Sequence, residues 1–288
     1  MVFLLTQFFL NFISPENLKF QSFSGYVTRG IFFDLIKSVD EALAEKLHSN
    51  KGISPYSLTP VEIFSNGGMR FVYRRCEAPV RGRFRITAMR DDLSSVLKEA
   101  IISRDSINFV DRKAIITEIS VREFNFHGFL ENARPVRKFS VLFRTPCYFR
   151  LLPTKEGRRK GQYRAYPLPD PALLLRSALR LWTNFSDAKF NYEKFLEWVN
   201  EGGVSISGFP KGIRTVRVYE HPTTNKWNIG FVGEVRYSIP DDSYDPKFSS
   251  IVDALMSFSE ISNVGGNRTA GFGVVEYRRA DQCSSSQG

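Results

Sequence analysis

The sequence predicts an α+β chain built from two successive β-α-β-β-α-β units, and three observations carry that prediction. Short runs rich in aromatic and β-branched residues alternate with longer segments whose apolar residues recur every three to four positions. That order runs once to about residue 126 and restarts after Pro135. The 288 residues, 42% of them hydrophobic, suffice for two modest cores of roughly 100–150 residues each.

The first strand is expected over Val2–Asn11, where aliphatic and phenylalanine side chains dominate. Gly25 precedes a long helical pattern from Val27 to Leu47. Its apolar face is Phe32, Leu35, Ile36, Val39, Leu43 and Leu47, and its polar face is Asp34, Lys37, Glu41 and Glu45. Gly52 and Pro55 end it. Strands follow over Leu58–Phe64 and Met69–Cys76, split by Asn66-Gly67-Gly68, and over Arg83–Met89. Asp91–Ser103 reads as a helix capped by Asp91 or Asp92, with Leu93, Val96, Leu97, Ala100 and Ile101 inward. Ala114–Phe126 closes the half as a strand, and His127 to Arg134 reads as a linker.

In the second half, Val136–Arg150 is a strand candidate and Pro153–Pro171 a loop. Helices are expected over Pro171–Phe185, Tyr192–Asn200 and Lys247–Phe258. Strands are expected over Val204–Phe209, Gly212–Glu220, Trp227–Ser238 and Gly271–Arg278. The fold class is therefore α+β, two tandem ferredoxin-like (RRM-like, split βαβ) domains, with one extra strand in the first. The domains span 1–130 and 135–280, and 281–288 form a polar, disordered tail.

Forty Lys and Arg against thirty Asp and Glu give a net charge of +10, which favours a polyanionic partner through counterion release. Cys76, Cys147 and Cys283 lie far apart without a CxxC, so neither a disulfide framework nor a zinc cluster is expected, and a reducing cytoplasm fits. The opening stretch MVFLLTQFFLNFI lacks a basic n-region and a small-residue cleavage site, and is too short to cross a bilayer; it is read as a buried strand. No HExxH, DxD or clustered Cys/His set points to a metal or cofactor, and no GxSxG or Cys/His nucleophile pattern is present.

Asn263-Val264-Gly265-Gly266-Asn267-Arg268-Thr269-Ala270-Gly271-Phe272-Gly273-Val274-Val275 places a basic glycine loop between a helix and the last strand. A P-loop needs Gly-Lys-Ser/Thr opening a helix, and a dinucleotide loop follows a strand rather than a helix, so neither applies. Two readings stay open: a tight structural turn, or a phosphate contact through Gly265, Gly266, Asn267 and Arg268.

In context this loop resembles the glycine-rich loop of the RAMP superfamily, and of the Cas6 family in particular. Gly271-Phe272-Gly273-Val274-Val275 matches the family's ending, and Asn263 stands where its opening Gly-x-Gly has a first glycine. The N-terminal stretch Gly25-Tyr26-Val27-Thr28-Arg29-Gly30-Ile31-Phe32-Phe33-Asp34-Leu35-Ile36-Lys37, then Leu43-Ala44-Glu45-Lys46-Leu47-His48, Lys51-Gly52 and Tyr56-Ser57-Leu58, is similar to the family's opening. The resemblance implies a CRISPR repeat-RNA endoribonuclease that cuts without metal, by attack of the 2′-OH on the adjacent phosphorus. Its implied partner is CRISPR repeat RNA, with room for subunits of a CRISPR effector complex and for a homodimer, and no membrane. It implies His48 as the catalytic histidine, a residue type suited to proton transfer near neutrality. The family's lysine corresponds to Ser54 and its tyrosine to Phe33, so Lys51 and Tyr26 are the candidate substitutes. On one continuous helix, at ~100° per residue, Phe33 and His48 would fall within about 60° of each other. His127 and His221 read as surface residues.

The densest basic run is Lys155-Glu156-Gly157-Arg158-Arg159-Lys160-Gly161-Gln162-Tyr163-Arg164, with Tyr166 close by. Charge beside aromatics suits RNA, so Arg158, Arg159, Lys160 and Arg164 are candidate contacts, and a solvated surface loop is the alternative. Arg134, Arg137 and Lys138 form a second patch. Competing readings of the whole are a non-catalytic RAMP-type subunit that holds guide RNA, and a generic RNA-binding domain, which would lack the RRM aromatic pattern.

Overall fold

The computed structural model describes residues 4–20, 23–50, 52–65, 68–72, 74–151, 163–220 and 227–280. The chain divides into two units. The first is Met1–Asn125 together with Asn267–Phe272, and the second is Phe126–Gly266 with Gly273–Gly288.

The first unit runs β1 (Leu4–Ser14), β2 (Leu18–Lys19), α1 (Ser24–Lys37), α2 (Glu41–Ser49), β3 (Tyr56–Leu58), β4 (Glu62–Ser65), β5 (Gly68–Phe71), β6 (Arg75–Cys76), β7 (Val80–Ala88), α3 (Asp91–Ile102), β8 (Ser106–Phe109) and β9 (Arg112–Asn125). Its main sheet has the order β5-β4-β7-β1-β9-β8, with β3 also on β7. Central β1 pairs antiparallel with β7 (Phe8↔Ile86, Leu10↔Phe84) and with β9 (Phe8↔Val121, Leu10↔Ile119). This is the split βαβ order. Phe8, Leu10 and Phe12 of β1 point to one face, where Ile31, Phe32, Leu35 and Ile36 of α1 and Leu93, Leu97, Ala100 and Ile101 of α3 cover them. Burying the four α1 side chains alone supplies on the order of 10 kcal/mol.

The long helical pattern from Val27 to Leu47 is broken into two helices. Asp40 leaves the helical region at φ −143°, and its carboxylate accepts from the Leu43 amide at 2.8 Å, starting α2. An Asp N-cap is worth about 1 kcal/mol, which favours a fresh start over an Asp inside a helix. The N-cap of α3 is Arg90, not Asp91 or Asp92. Its side chain makes no capping bond, and Asp92 instead accepts from the Leu93 amide at 2.8 Å. Strand β8 is absent from the sequence reading because its hairpin to β9 turns through Val110 at φ 59°, where glycine or asparagine is the usual signal.

The second unit runs α4 (Phe126–Glu131), β10 (Lys138–Cys147), β11 (Phe149–Leu151), β12 (Arg164–Tyr166), α5 (Pro171–Phe185), α6 (Tyr192–Asn200), β13 (Ser205–Gly208), β14 (Ile213–Glu220), β15 (Trp227–Ser238), α7 (Pro246–Ser262) and β16 (Val275–Arg279). Its sheet order is β13-β15-β10-β16, with β14 also on β15, again the ferredoxin-like arrangement. Part of the expected linker is helical: α4 buries Phe126 against Trp182 and Phe258, at 5.1 and 5.4 Å between ring centroids. The last strand starts at Val275 rather than Gly271, because Gly271 and Gly273 take left-handed angles (φ 77° and 64°) that no strand accepts. Among the described residues, no helix is long and apolar enough to cross a membrane.

Candidate active site

His48 stands on the last turn of α2, exposed to solvent. Its ring meets the half-buried Phe33 ring edge-on, with centroids 5.4 Å apart and planes at 77°. The meeting does not arise from one continuous helix: the turn at Ser38–Asp40 lays α2 back against α1. Phe33 in turn meets the buried Tyr56 ring at 6.2 Å and 87°, and Tyr56 stacks on Phe32 at 4.1 Å.

Along α1, Tyr26, Arg29 and Phe33 follow the i, i+3, i+7 spacing that puts side chains on one stripe. Tyr26 therefore lies about 10 Å along the axis from Phe33. Its ring packs against Phe272 at 6.3 Å and 73°. Arg29 lies between them, its guanidinium carbon 5.7 Å from the Phe33 centroid. Arg29 and Thr269 both hydrogen-bond to the Tyr56 phenol. Burial pushes that phenol above its ordinary pKa, while Arg29, Thr269 and Arg268 pull it part of the way back. Lys51 lies outside the described residues.

The glycine loop divides between the two units. In the second unit, the Gly265 amide donates to Ser177 Oγ at 2.7 Å and the Gly266 amide to the Tyr148 carbonyl at 2.8 Å. A Cβ on Gly266 would meet the Tyr148 ring at 2.5 Å, so glycine is required there by packing. In the first unit, Asn267 takes the left-handed conformation (φ 54°) and opens a 3-10 turn over Arg268–Ala270. Arg268 is only 8% exposed. Its guanidinium donates to the carbonyls of Ser54 (3.0 Å) and Tyr56 (3.3 Å). The Gly265 and Gly266 amides and the Arg268 guanidinium are thus engaged with the protein itself, and Arg268 fixes the backbone on both sides of Pro55.

The basic run is seen only at its end. Arg158, Arg159 and Lys160 lie outside the described residues, and Arg164 is exposed at the start of β12. Tyr163 is 41% exposed, stacks on Tyr148 with planes at 10°, and carries the Arg150 guanidinium 4.5 Å above its ring. Arg150 pairs with Ala165, so it points to the sheet side opposite Arg164. Arg29, Tyr56 and Arg150 were missed as site residues. Arg29 was detectable as the member of the Tyr26/Phe33 stripe one turn before Phe33. Arg150 was hidden because the hairpin pairing that brings it to Tyr163 spans the whole basic loop. His127 is exposed, 3.5 Å from Asp187, and His221 lies outside the described residues.

The model of the family described as CRISPR-associated endoribonuclease Cas6 matches residues 141–275. No curated protein matches the sequence. Among solved structures, a Cas6 product complex superposes with a TM-score of 0.74 at 21% identity, over 94% of this chain and 98% of that one. Thermus thermophilus Cas6 superposes at 0.69 and 20% identity, over 96% and 99%. The product of a Cas6-related gene from Pyrococcus furiosus superposes at 0.54 and 11% identity, over 96% and 98%. At such identities these structures share the fold. The chain thus resembles the Cas6 family over residues 141–275, somewhat under half of its length, and shares the fold of these structures over nearly all of it.

Proposed function

We propose that the protein binds CRISPR repeat RNA and cuts it once within the repeat, without a metal, leaving a 2′,3′-cyclic phosphate and a 5′-hydroxyl. The observation that carries this reading is an exposed imidazole, His48, held edge-on by Phe33. It lies just before the segment that Arg268 fixes at Ser54 and Tyr56. In the reaction the 2′-oxygen forms a bond to phosphorus and the bond from phosphorus to the 5′-oxygen breaks. The 2′-OH proton passes to a base, and the leaving 5′-oxygen takes a proton from an acid; His48 serves in one of these roles, with Lys51 and Tyr26 as candidate partners. A solved RAMP protein of this fold, described as binding different RNA substrates, supports RNA as the substrate. The Arg150–Tyr163 pair supplies a cation beside an aromatic ring, Arg164 a cation on the other side of the same hairpin, and Arg158, Arg159 and Lys160 further candidate contacts. The glycine-loop residues Gly265, Gly266, Asn267 and Arg268 act on RNA indirectly, by shaping the protein.

The test uses an RNA oligonucleotide of the CRISPR repeat from the same genome, with EDTA present. Wild type is expected to leave the cyclic phosphate, and His48→Ala to lose cleavage. Replacing the 2′-OH at the scissile nucleotide by hydrogen is expected to abolish the cut, and continued cutting would refute the 2′-OH step. Binding without cleavage by wild type would favour the guide-RNA-holding subunit, a reading supported by Phe33, which has no hydroxyl where the family carries tyrosine.

A further inference from the structure

Resting on the nuclease reading above, we propose that Arg29 is a catalytic residue, the cation that meets the scissile phosphate as its charge builds. A phosphorane carries more negative charge on its non-bridging oxygens than the starting diester, and a fixed cation stabilises that difference. The Phe33 ring has the His48 ring 5.4 Å away at a steep angle and the Arg29 guanidinium over it, 5.7 Å away. The two distances share an end, so imidazole and guanidinium lie within about 11 Å of each other. A phosphate hydrogen-bonded on both sides at about 2.8 Å fits within that limit.

Arg29 is also held ready for the task. Its hydrogen bond to the Tyr56 phenol fixes one part of the fork. That phenol belongs to a buried ring stacked on Phe32 and is held a second time by Thr269. A guanidinium has five donors in a rigid plane, so one anchored edge leaves others to face a phosphate. Half-burial beside an apolar ring raises the worth of the charge over that of a fully solvated lysine. Arg29 gives and takes no proton, and the proton steps stay with His48 and its partners.

Single-turnover cleavage of the repeat RNA by wild type, Arg29→Ala and Arg29→Lys tests this, with RNA affinity measured in parallel. Arg29→Ala is expected to slow the cut about 10²–10³-fold, to change affinity far less, and to recover on addition of guanidinium ion at tens of millimolar. Arg29→Lys is expected to keep part of the rate. An Arg29→Ala protein that cuts within a few-fold of wild type overturns the proposal. So does one that is slow, shows a lowered melting temperature and is indifferent to guanidinium, because that marks a structural role behind Tyr56. An inert wild type overturns the nuclease reading and this inference with it, whereas a wild type that cuts no faster than Arg29→Ala overturns this inference alone.

Discussion

At the scale of residues, the proposed chemistry turns on one imidazole, His48, and one guanidinium, Arg29, while a second guanidinium, Arg268, holds the backbone. His48→Ala is expected to lower the cleavage rate by about 10²–10⁴-fold while leaving repeat affinity within a few-fold of wild type, as read by single-turnover kinetics and filter binding. Arg268 is expected to behave differently from a phosphate contact. Its buried donors satisfy the Ser54 and Tyr56 carbonyls, and a hydrogen bond from a charged group is worth about 1.5–3 kcal/mol. Arg268→Ala is therefore expected to lose about 3 kcal/mol of stability in urea denaturation and to cut more slowly, with the salt dependence of RNA binding unchanged. A shallower salt dependence would return Arg268 to the RNA. The sequence placed a basic residue in a glycine loop, which suits either role. What distinguishes them is burial, and burial depends on partners more than 200 positions away.

At the scale of elements, close approach and buried charge set the sensitive points. Gly25, the second residue of α1, lies against the 3-10 turn of the glycine loop, and a Cβ there would fall 2.1 Å from the Ala270 carbonyl oxygen. Gly25→Ala is expected to destabilise the protein by about 1–3 kcal/mol, seen as a lowered melting temperature. Asp253, fully buried on α7, accepts from Tyr277 (2.5 Å), from two nitrogens of Arg279 (2.6 and 2.7 Å) and from the Arg134 amide (2.8 Å). Burial and the facing carboxylate keep the Tyr277 phenol protonated far above its usual range. Asp253→Ala strands a partly buried arginine and is expected to cost about 3–5 kcal/mol, measured by chemical denaturation. Helices with long apolar faces, such as α5 and α6, were legible in the sequence to the residue. Periodicity could not show the break at Asp40, because residues on both sides of it keep an apolar face toward the same core. Nor could it show α4, which is too short for a period, or the Val110 turn, which uses a residue that turns avoid.

Over the whole molecule, the net charge of +10 and the duplicated fold were readable from composition and pattern, because both are sums over many residues. The layout of the site was not, since it depends on a few contacts of high sequence separation. Neutralising Arg158, Arg159 and Lys160 together is expected to weaken repeat binding and to lower the slope of log affinity against log salt by about 2, at roughly 0.7 per phosphate on a single strand. An unchanged slope in a salt titration would remove that run from the RNA interface. The first unit is completed only by Asn267–Phe272, the segment that brings Arg268 and Thr269 to Ser54 and Tyr56. During synthesis, then, the ribosome releases His48 well before the turn over Arg268–Ala270. A nascent chain carries the histidine through more than two hundred further residues before that turn exists, so the first unit can close around it only after synthesis has passed Phe272.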